Sequence, residues 1–288
     1  MAEIRFGKAI NLALADALEQ DPAVFLFGED IADAGGPFGA TRGLKDRFGD
    51  RVRDTPISEA SMAHAAVGAA LSGLKPVLEI MFMDFMTLTM DALVNQAAKA
   101  RYMFGGQASV PMVVRTPHGG GISAGPQHSQ CLEAWFAHVP GLKVICPSNP
   151  ADAYGLLRAA IADPDPVVFV ENKTLYTMDE GAGPESIGKA RLVRTGRDAT
   201  VVAYGAAVHT AERAAEQLAE QGLEVEVLDL RSIQPWDEAA VMESLARTHR
   251  LLVVHEAVEA FGVGAEIAAR IGQIGFDELD APIMRVAS

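Results

Sequence analysis

The stretch from Asp54 to Glu59 places a carboxylate directly before a run of small residues. Ser58 is a favourable N-cap, so we predict that Glu59 lies in the first turn of a helix, where the helix dipole stabilises a negative charge. This helix is predicted to run to Gly73 and to consist mostly of alanine and glycine. It would allow close approach of another backbone or of a flat ligand. An isolated motif of this kind is also typical of a buried, alanine-rich core helix.

A second chemical candidate is His128, which lies between a glycine-rich loop and a predicted helix. Histidine exchanges a proton near neutral pH, so a histidine in such a loop can act as an acid or a base. The alternative is a loop histidine whose ring is satisfied by backbone groups. The other histidines of the chain lie in less suggestive surroundings.

The loop before His128 also contains a serine-hydrolase pattern. Gly121-Ile-Ser-Ala-Gly125 fits G-x-S-x-G, and it overlaps a His-Gly-Gly-Gly run that begins at His118. In hydrolases the two motifs occupy different loops, and the serine forms a strand-to-helix elbow. The overlap, with Pro126 close behind, argues against a hydrolase that uses Ser123. No HExxH motif, P-loop or Cys/His cluster is present in the sequence, so spacing predicts no metal site.

Composition bounds the class of protein. The chain has 288 residues, 49% of them hydrophobic, which is enough for two α/β domains. The net charge of -14 and the pI near 4.9 argue against nucleic-acid and anionic-membrane partners. The two cysteines form no CxxC and fit a reducing compartment. No targeting segment or membrane span is recognisable, so we expect a cytoplasmic protein.

Strands and helices alternate through residues 1–178. Predicted strands cover residues 24–28, 51–54, 76–81, 110–115, 143–146 and 167–170, and predicted helices cover residues 7–20, 60–73, 85–104, 130–137 and 150–162. This alternation predicts an α/β fold with a doubly wound, mostly parallel sheet. Ligands of such sheets bind beyond the carboxyl ends of the strands.

A second α/β domain is predicted over residues 199–288. Residues 179–198 are polar and rich in glycine and proline, which predicts a linker. Predicted strands then cover residues 200–204, 224–229 and 251–254, and predicted helices cover residues 208–221, 237–246 and 264–271.

Several runs taken together resemble one family. They are Gly28-Glu-Asp, the stretch from Asp54 to Glu59, Ala97–Gly106, Gln127-His-Ser-Gln130 and Pro140-Gly-Leu-Lys-Val144. In order and across almost the whole chain, they are similar to the β subunit of the thiamine-diphosphate-dependent E1 component of 2-oxo acid dehydrogenase complexes. The pyruvate and acetoin types are the most similar. The resemblance implies a transketolase-type pyrimidine-binding domain followed by a smaller C-terminal α/β domain.

The resemblance also implies an activity and residue roles. The expected reaction is oxidative decarboxylation of a 2-oxo acid, with pyruvate favoured, and acyl transfer to the lipoyl group of an E2 component. By resemblance Glu59 is catalytic and binds the cofactor through the aminopyrimidine nitrogen N1′, and Phe85 packs near the pyrimidine. His128, also catalytic, faces the substrate and the lipoyl group. The alternatives are an acetoin-type or branched-chain-type subunit, or a non-catalytic relative.

Two further groups are implied by the resemblance. A structural potassium ion would be held largely by backbone oxygens at positions that correspond to Met112, Ala160, Ile161, Asp163 and Asp165. Magnesium and the diphosphate would be held by an α subunit, since this chain has no Gly-Asp-Gly run. The implied assembly is therefore an α2β2 heterotetramer that is inactive without α.

The sequence departs from the family in several places. Ser61 and His64 occupy positions on the small-residue helix where the family usually has glycine. The chain stops at Ser288, whereas family members continue for a few tens of residues, so we expect either a shortened second domain or a sequence that is a piece of a longer chain. Leu88 and Ala92 also differ from residues common in pyruvate-type members, so the sequence does not select a specific 2-oxo acid.

Overall fold

The computed structural model describes residues 4–179 and 186–288. The chain divides into two compact units, residues 1–187 and 188–288. Within the described residues, no helix combines the length and the apolar character needed to cross a bilayer.

The first unit alternates helices and strands, as the sequence predicts. Its helices are α1 (Phe6–Gln20), α2 (Leu44–Phe48), α3 (Glu59–Leu71), α4 (Ala98–Met103), α5 (Glu133–Ala137) and α6 (Pro150–Ala162). Its strands are β1 (Val24–Gly28), β2 (Val52–Asp54), β3 (Lys75–Glu79), β4 (Val113–His118), β5 (Lys143–Ile145) and β6 (Val167–Asn172).

The strands of the first unit lie in the order β5-β6-β4-β3-β1-β2, and each neighbouring pair is parallel. Strands β4 and β6 are buried along their whole length. A parallel strand that is buried throughout is covered on both faces. The prediction of a doubly wound parallel sheet is thus confirmed.

Helix α3 begins at Glu59, as predicted, and ends two residues before Gly73. Its buried side is formed by small or apolar residues at helical spacing: Met62, Ala63, Ala66, Val67 and Ala70. Ser58 occupies the N-cap position, but its side chain does not cap the helix. The Ser58 hydroxyl instead donates to Ser61 Oγ at 2.9 Å.

The long helix predicted over residues 85–104 is wrong in form. Residues 83–89 form tight 3₁₀ turns, residues 91–97 form a π-helix, and only α4 is α-helical. The hydroxyls of Thr87 and Thr89 donate to the carbonyls three residues earlier, at 2.9 and 2.7 Å, which favours the tighter turn. In the wider π-helical turn, Asn95 Nδ2 donates to Asp91 Oδ1 at 2.7 Å.

The second unit contains a five-stranded sheet in the order β12-β11-β8-β9-β7. Its elements are β7 (Arg191–Arg194), β8 (Ala199–Ala203), α7 (Ala207–Ala219), β9 (Val225–Asp229), β10 (Ser232–Gln234), α8 (Glu238–Thr248), β11 (Leu251–Val254), α9 (Val263–Ile274) and β12 (Met284–Val286). The core on one face is formed by apolar residues of β8, β9 and α7. A second α/β unit is therefore confirmed.

The predicted linker over residues 179–198 differs from the structure in its second half. Residues 191–194 form β7, which pairs antiparallel with β9 and aligns Arg191 with Asp229. The strand is short and no more than half-buried, so its residues lack the apolar run that marks a strand in the sequence. Residues 180–185, also within the predicted linker, lie outside the described residues.

Candidate active site

Parallel pairing brings the carboxyl ends of several strands to one edge of the first sheet. The register aligns Gly28 with Asp54 and with Glu79, and it aligns His118 with Asn172. The side chains of interest that follow these strand ends are Glu29, Glu59, Phe85, His128 and Lys173. This edge is where ligands of parallel α/β sheets bind.

Glu59 and Glu29 form a pair of neighbouring buried carboxyl groups. Each is only 7% exposed, and Glu59 lies in the first turn of α3. Burial raises the pKa of Glu29, and the nearby charge of Glu59 raises it further. Glu29 Oε1 has no hydrogen-bond partner among the described residues. Two such carboxyls can hold or share a proton with a polar ring nitrogen.

Phe85 and His128 belong to one aromatic cluster. The ring of His128 lies edge-on to Phe85, with centroids 5.5 Å apart at 88°, and to Phe82, at 4.7 Å and 79°. Phe82 and Phe85 are themselves edge-to-face at 6.2 Å. Contacts of this geometry hold the imidazole in a fixed orientation. The structure therefore brings Phe85 and His128, two of the three residues predicted for the active site, into contact. The third, Glu59, pairs with Glu29.

Lys173 is a residue of this region that the sequence prediction missed. Its ammonium donates to the carbonyl oxygen of His128 and lies 5.3 Å from the centroid of Phe82. The side chain is 4% exposed. Its only signal in the sequence is its position three residues after a predicted strand, near the ligand-binding edge, and that position alone does not show that Lys173 reaches His128. Lys173 fixes the loop that carries His128 from the side of β6.

The glycine-rich loop of residues 34–43 contributes Phe38 to the same cluster. The Phe38 ring stacks on Tyr176 at 4.7 Å and meets Phe82 edge-on at 6.2 Å. At Gly36 the backbone has φ +76°, and an added Cβ would lie 2.8 Å from Glu79 Oε1. A glycine is therefore required for the loop to approach the strand ends.

A buried ionic network lies beneath the aromatic cluster. Arg115 is 1% exposed and donates to Glu79 at 2.6 Å and to both carboxylate oxygens of Glu171 at 2.7 and 2.9 Å. Tyr176 donates its hydroxyl proton to Glu171. Burial raises the pKa of Glu79. Burial by itself lowers the pKa of the Arg115 guanidinium. The negative charges of Glu171 and Glu79 have the larger effect and raise this pKa.

Four side chains meet at the base of the loop of residues 119–130. His118 ends β4, Cys131 lies two residues before α5, Glu133 begins α5, and Cys146 follows β5. His118 Nε2 is 3.7 Å from Cys146 Sγ, and His118 Nδ1 is 3.4 Å from Glu133 Oε2. Burial raises the pKa of the Cys146 thiol to about 11. The sequence prediction of no Cys/His cluster holds for spacing along the chain, but the fold assembles one.

The five positions predicted for potassium remain a prediction. Met112 O accepts a hydrogen bond from Val167 N at 3.0 Å, and Ala160 O accepts one from Asp163 N at 3.3 Å. The side chain of Asp163 accepts from Lys143 Nζ at 2.6 and 2.7 Å, and that of Asp165 accepts from Arg101 at 2.5 Å. Both carboxylates are thus neutralised by protein cations, and an added cation would depend on the backbone oxygens.

The geometry of Ser123 does not support a hydrolase. The serine is exposed and has φ +57°. Strand β4 ends five residues earlier and the next helical turn begins at Pro126, so Ser123 does not form the strand-to-helix elbow that a nucleophilic serine needs.

Comparison with known families assigns both units. Residues 2–178 match the family model described as "Transketolase, pyrimidine binding domain". Residues 188–288 match "Transketolase, C-terminal domain". A solved structure titled "Split gene transketolase, inactive beta4 tetramer" has the same fold, with a TM-score of 0.84 at 20% identity over 99% of this chain and 89% of that chain.

Relatives of known function are similar over nearly the whole chain. "Pyruvate dehydrogenase E1 component subunit beta-2, mitochondrial" of Oryza sativa subsp. japonica is 45% identical over 99% of this chain and 78% of its own length. "Acetoin:2,6-dichlorophenolindophenol oxidoreductase subunit beta" of Bacillus subtilis (strain 168) is 48% identical over 99% of this chain and 88% of its own length.

The pyrimidine-binding domain followed by the C-terminal domain defines the transketolase class of proteins. Within that class, the chain belongs to the family of E1 β subunits of the 2-oxo acid dehydrogenases and their acetoin-type relatives. The resemblance inferred from the sequence is confirmed.

Proposed function

We propose that this chain is the β subunit of a thiamine-diphosphate-dependent E1 component, with pyruvate as the favoured 2-oxo acid. The observation that carries the proposal is Glu59, a carboxylate 7% exposed in the first turn of α3. Burial strengthens a hydrogen bond from this carboxyl to a ring nitrogen, and the helix N-terminus stabilises its charge.

The residues present fit an aminopyrimidine ring. Glu59 and Glu29 offer buried carboxyl oxygens, and Glu29 Oε1 is an acceptor without a hydrogen-bond partner among the described residues. Phe85 offers a half-buried aromatic surface in the 3₁₀ segment that follows β3. Thiamine diphosphate, when bound, supplies the carbon nucleophile and electron sink that a 2-oxo acid needs to lose carbon dioxide. In this proposal Glu59 shares a proton with pyrimidine N1′.

His128 is proposed to meet the substrate and the lipoyl group. Edge-to-face contacts with Phe82 and Phe85 orient its ring, and Lys173 holds its backbone carbonyl. A ring positioned in this way can donate a hydrogen bond or transfer a proton at the substrate oxygen.

An α subunit is a necessary partner in this proposal. The sequence contains no Gly-Asp-Gly run to hold magnesium and diphosphate, so those groups are assigned to α. Large apolar residues exposed on the first unit include Ile57, Leu88, Trp135 and the consecutive residues Tyr102, Met103 and Phe104. A contiguous exposed apolar patch, such as these three consecutive residues form, is typical of association surfaces. We propose an α2β2 assembly that delivers its acyl group to a lipoyl-bearing E2 component.

A structural potassium ion is proposed at Met112, Ala160, Ile161, Asp163 and Asp165, held by backbone oxygens. The ion pairs of Asp163 and Asp165 with Lys143 do not favour side-chain ligation, so the proposed ion depends on the backbone oxygens. Stability of the assembly in K⁺ compared with Li⁺ tests the site: equal melting temperatures in both salts would contradict it.

Acetoin cleavage is the second candidate function. It is favoured by the 48% identity to the acetoin-type β subunit named above. Pyruvate and acetoin both yield a two-carbon fragment, so a site for one fits the reacting part of the other. The chain should be co-expressed with candidate α subunits and supplied with pyruvate, acetoin or branched-chain 2-oxo acids. Turnover by the chain alone, or no thiamine diphosphate binding in any mixture, would contradict the proposal.

The substitution Glu59→Ala tests the role of this carboxylate. We expect kcat of the assembled enzyme to fall by about 10²–10⁴-fold, because the proton partner of the cofactor ring is lost. The matched control is Ser61→Ala, an exposed position on the same helix, which should retain activity. Sedimentation of both variants checks that the assembly persists. Near-normal kcat in Glu59→Ala would refute the assignment.

A further inference from the structure

The cluster of His118, Cys131 and Glu133, at the base of the loop of residues 119–130, has the composition of a transition-metal site. A ligand atom from each of His118, Cys131 and Glu133 lies within 4.8 Å of the other two. His118 and Glu133 are buried, and Cys131 is half-buried. The three side chains offer an imidazole nitrogen, a thiolate sulfur and a carboxylate oxygen, which are the ligands that Zn²⁺ prefers.

We propose that His118, Cys131 and Glu133 bind one Zn²⁺ ion and that this ion clamps the two ends of the loop of residues 119–130. The proposal does not depend on the function proposed above, since it concerns a separate set of side chains.

The distances agree with tetrahedral zinc. Bonds of about 2.0–2.3 Å place neighbouring ligand atoms roughly 3.2–3.8 Å apart. His118 Nδ1 and Glu133 Oε2 are already 3.4 Å apart. The 4.8 Å limit on the group therefore leaves about an ångström of side-chain adjustment for the sulfur. Three protein ligands leave the fourth position for water.

The orientation of His118 favours metal binding through Nδ1. This atom is buried and faces the other two ligands, since it lies 3.4 Å from Glu133 Oε2. The opposite ring nitrogen, Nε2, lies 3.7 Å from Cys146 Sγ. A histidine that binds metal through one nitrogen commonly donates the other N–H to a neighbouring acceptor, which fixes the tautomer. Cys146 is therefore assigned as a positioning residue and Cys131 as the ligand.

The ligand set selects among metals. A thiolate excludes the hard cations Mg²⁺ and Ca²⁺, which require oxygen ligands. An arrangement of one nitrogen, one sulfur and one oxygen in a small buried space suits Zn²⁺, with Co²⁺ as a spectroscopic substitute.

The clamp would act on the loop that carries His128. His118 precedes the loop, Cys131 and Glu133 follow it, and the backbone of Gly119 donates to Gln130 O at 3.4 Å where the two ends meet. A metal ion at the base of this loop would restrict the positions that His128 can adopt.

Metal binding is tested on the full chain, reduced and freed of metal with a chelator. We expect a single Zn²⁺ to bind per chain and to raise the melting temperature. Co²⁺ should give the d–d absorption of a tetrahedral site and a thiolate-to-cobalt charge-transfer band. Because the chain contains two cysteines, that band can come only from Cys131 or Cys146.

Variants separate the two cysteines. Cys131→Ser should abolish the charge-transfer band. Cys146→Ala should retain it while weakening Zn²⁺ affinity by about 10–100-fold, as expected for loss of a supporting contact. Glu133→Gln should retain the band and weaken affinity. Far-UV circular dichroism checks that each variant is folded. Zn²⁺ and Co²⁺ binding by the wild-type chain tests the site even if a variant fails to fold.

Two results would overturn the proposal. One is wild-type chain that binds no Zn²⁺ at micromolar concentration and shows no cobalt–thiolate band. The other is a band that survives in Cys131→Ser but disappears in Cys146→Ala, which would show that Cys146, and not Cys131, is the sulfur ligand.

Discussion

At the scale of single residues, the carboxyl pair of Glu29 and Glu59 is the most consequential feature. Both groups are 7% exposed and close enough for the charge of Glu59 to raise the pKa of Glu29. Placing two acids in a dry pocket opposes folding of the chain by itself. Unfavourable burial of acidic groups is common at sites that bind a polar ligand.

Glu29→Gln is expected to stabilise the chain at neutral pH. The pKa of Glu29 is higher in the folded than in the unfolded chain, so the folded state binds this proton more tightly. The destabilisation from Glu29 is therefore absent below its unfolded pKa and develops as the pH rises through the folded pKa. Urea unfolding at several pH values should show that the variant gains stability over wild type only above this range. A gain that persists in acid would mean that ionisation of Glu29 is not its cause.

Glu59 and His128 were predicted because each lies in a run that resembles the family, and Phe85 was predicted from the resemblance alone; their roles stay predictions. Lys173 could not be predicted, since its role depends on strand β6 bringing it beneath His128. The His118 cluster could not be predicted from the sequence either. Its members are the last residue of β4, the residues at and just before the start of α5, and the residue after β5, and their spacing along the chain matches no metal-binding motif. Contacts between distant segments follow from the register of the sheet, which the sequence alone does not specify.

At the scale of elements, strands β3, β4 and β6 are joined by charge as well as by hydrogen bonds of the sheet. Glu79 is aligned with Arg115 in the register of β3 and β4, and Glu171 binds the same guanidinium from β6. A slip of one residue would move these side chains to the opposite face of the sheet. The network therefore specifies the register at the strand ends that carry the candidate site.

Arg115→Met is expected to lower the free energy of unfolding by about 3–5 kcal/mol, because it leaves two buried carboxylates without their cation. The control is Arg101→Met, which removes a half-exposed ion pair with Asp165 and should cost about 1 kcal/mol or less. Urea denaturation measures both. Equal effects would mean that the buried network does not determine stability.

Gly141 is the second element-scale constraint. It has φ +102°, and an added Cβ would lie 2.1 Å from Ala98 O, where α4 begins. Gly73 has a similar φ of +92° but open space around it. We expect Gly73→Ala to cost about 1–2 kcal/mol for the backbone conformation alone. Gly141→Ala should cost clearly more, because the backbone of α4 must also move; similar melting temperatures for the two variants would contradict this.

The strands and the amphipathic helices were predictable because periodicity reports burial. The segment of residues 83–103 was not, since its hydrophobic pattern is helical while hydroxyl-to-backbone bonds from Thr87 and Thr89 select another helical form. Strand β7 was missed because an edge strand with little burial has no apolar pattern to detect.

At the scale of the whole molecule, the exposed apolar residues indicate association. Tyr102, Met103 and Phe104 are 90%, 67% and 55% exposed and lie together where α4 ends. Tyrosine and methionine are enriched at the centres of protein interfaces. A free chain with this surface is expected to associate, which is consistent with the α2β2 assembly proposed above.

Tyr102→Glu is expected to weaken subunit association by about tenfold or more, since it places a charge in a desolvated contact. The control is Leu223→Glu, an exposed apolar position of the second unit. Analytical ultracentrifugation with the co-expressed α subunit reports both. Unchanged association in Tyr102→Glu would place the interface elsewhere on the molecule.

The ionic network around Arg115 also constrains how this sequence can change over generations. Replacing the arginine strands two acids, and replacing either Glu79 or Glu171 leaves the arginine with half of its compensation. Each single step is deleterious, while a joint replacement by apolar residues of similar volume can be neutral. The three positions should therefore be inherited as a unit and covary among relatives, with intermediates that lack one member rare.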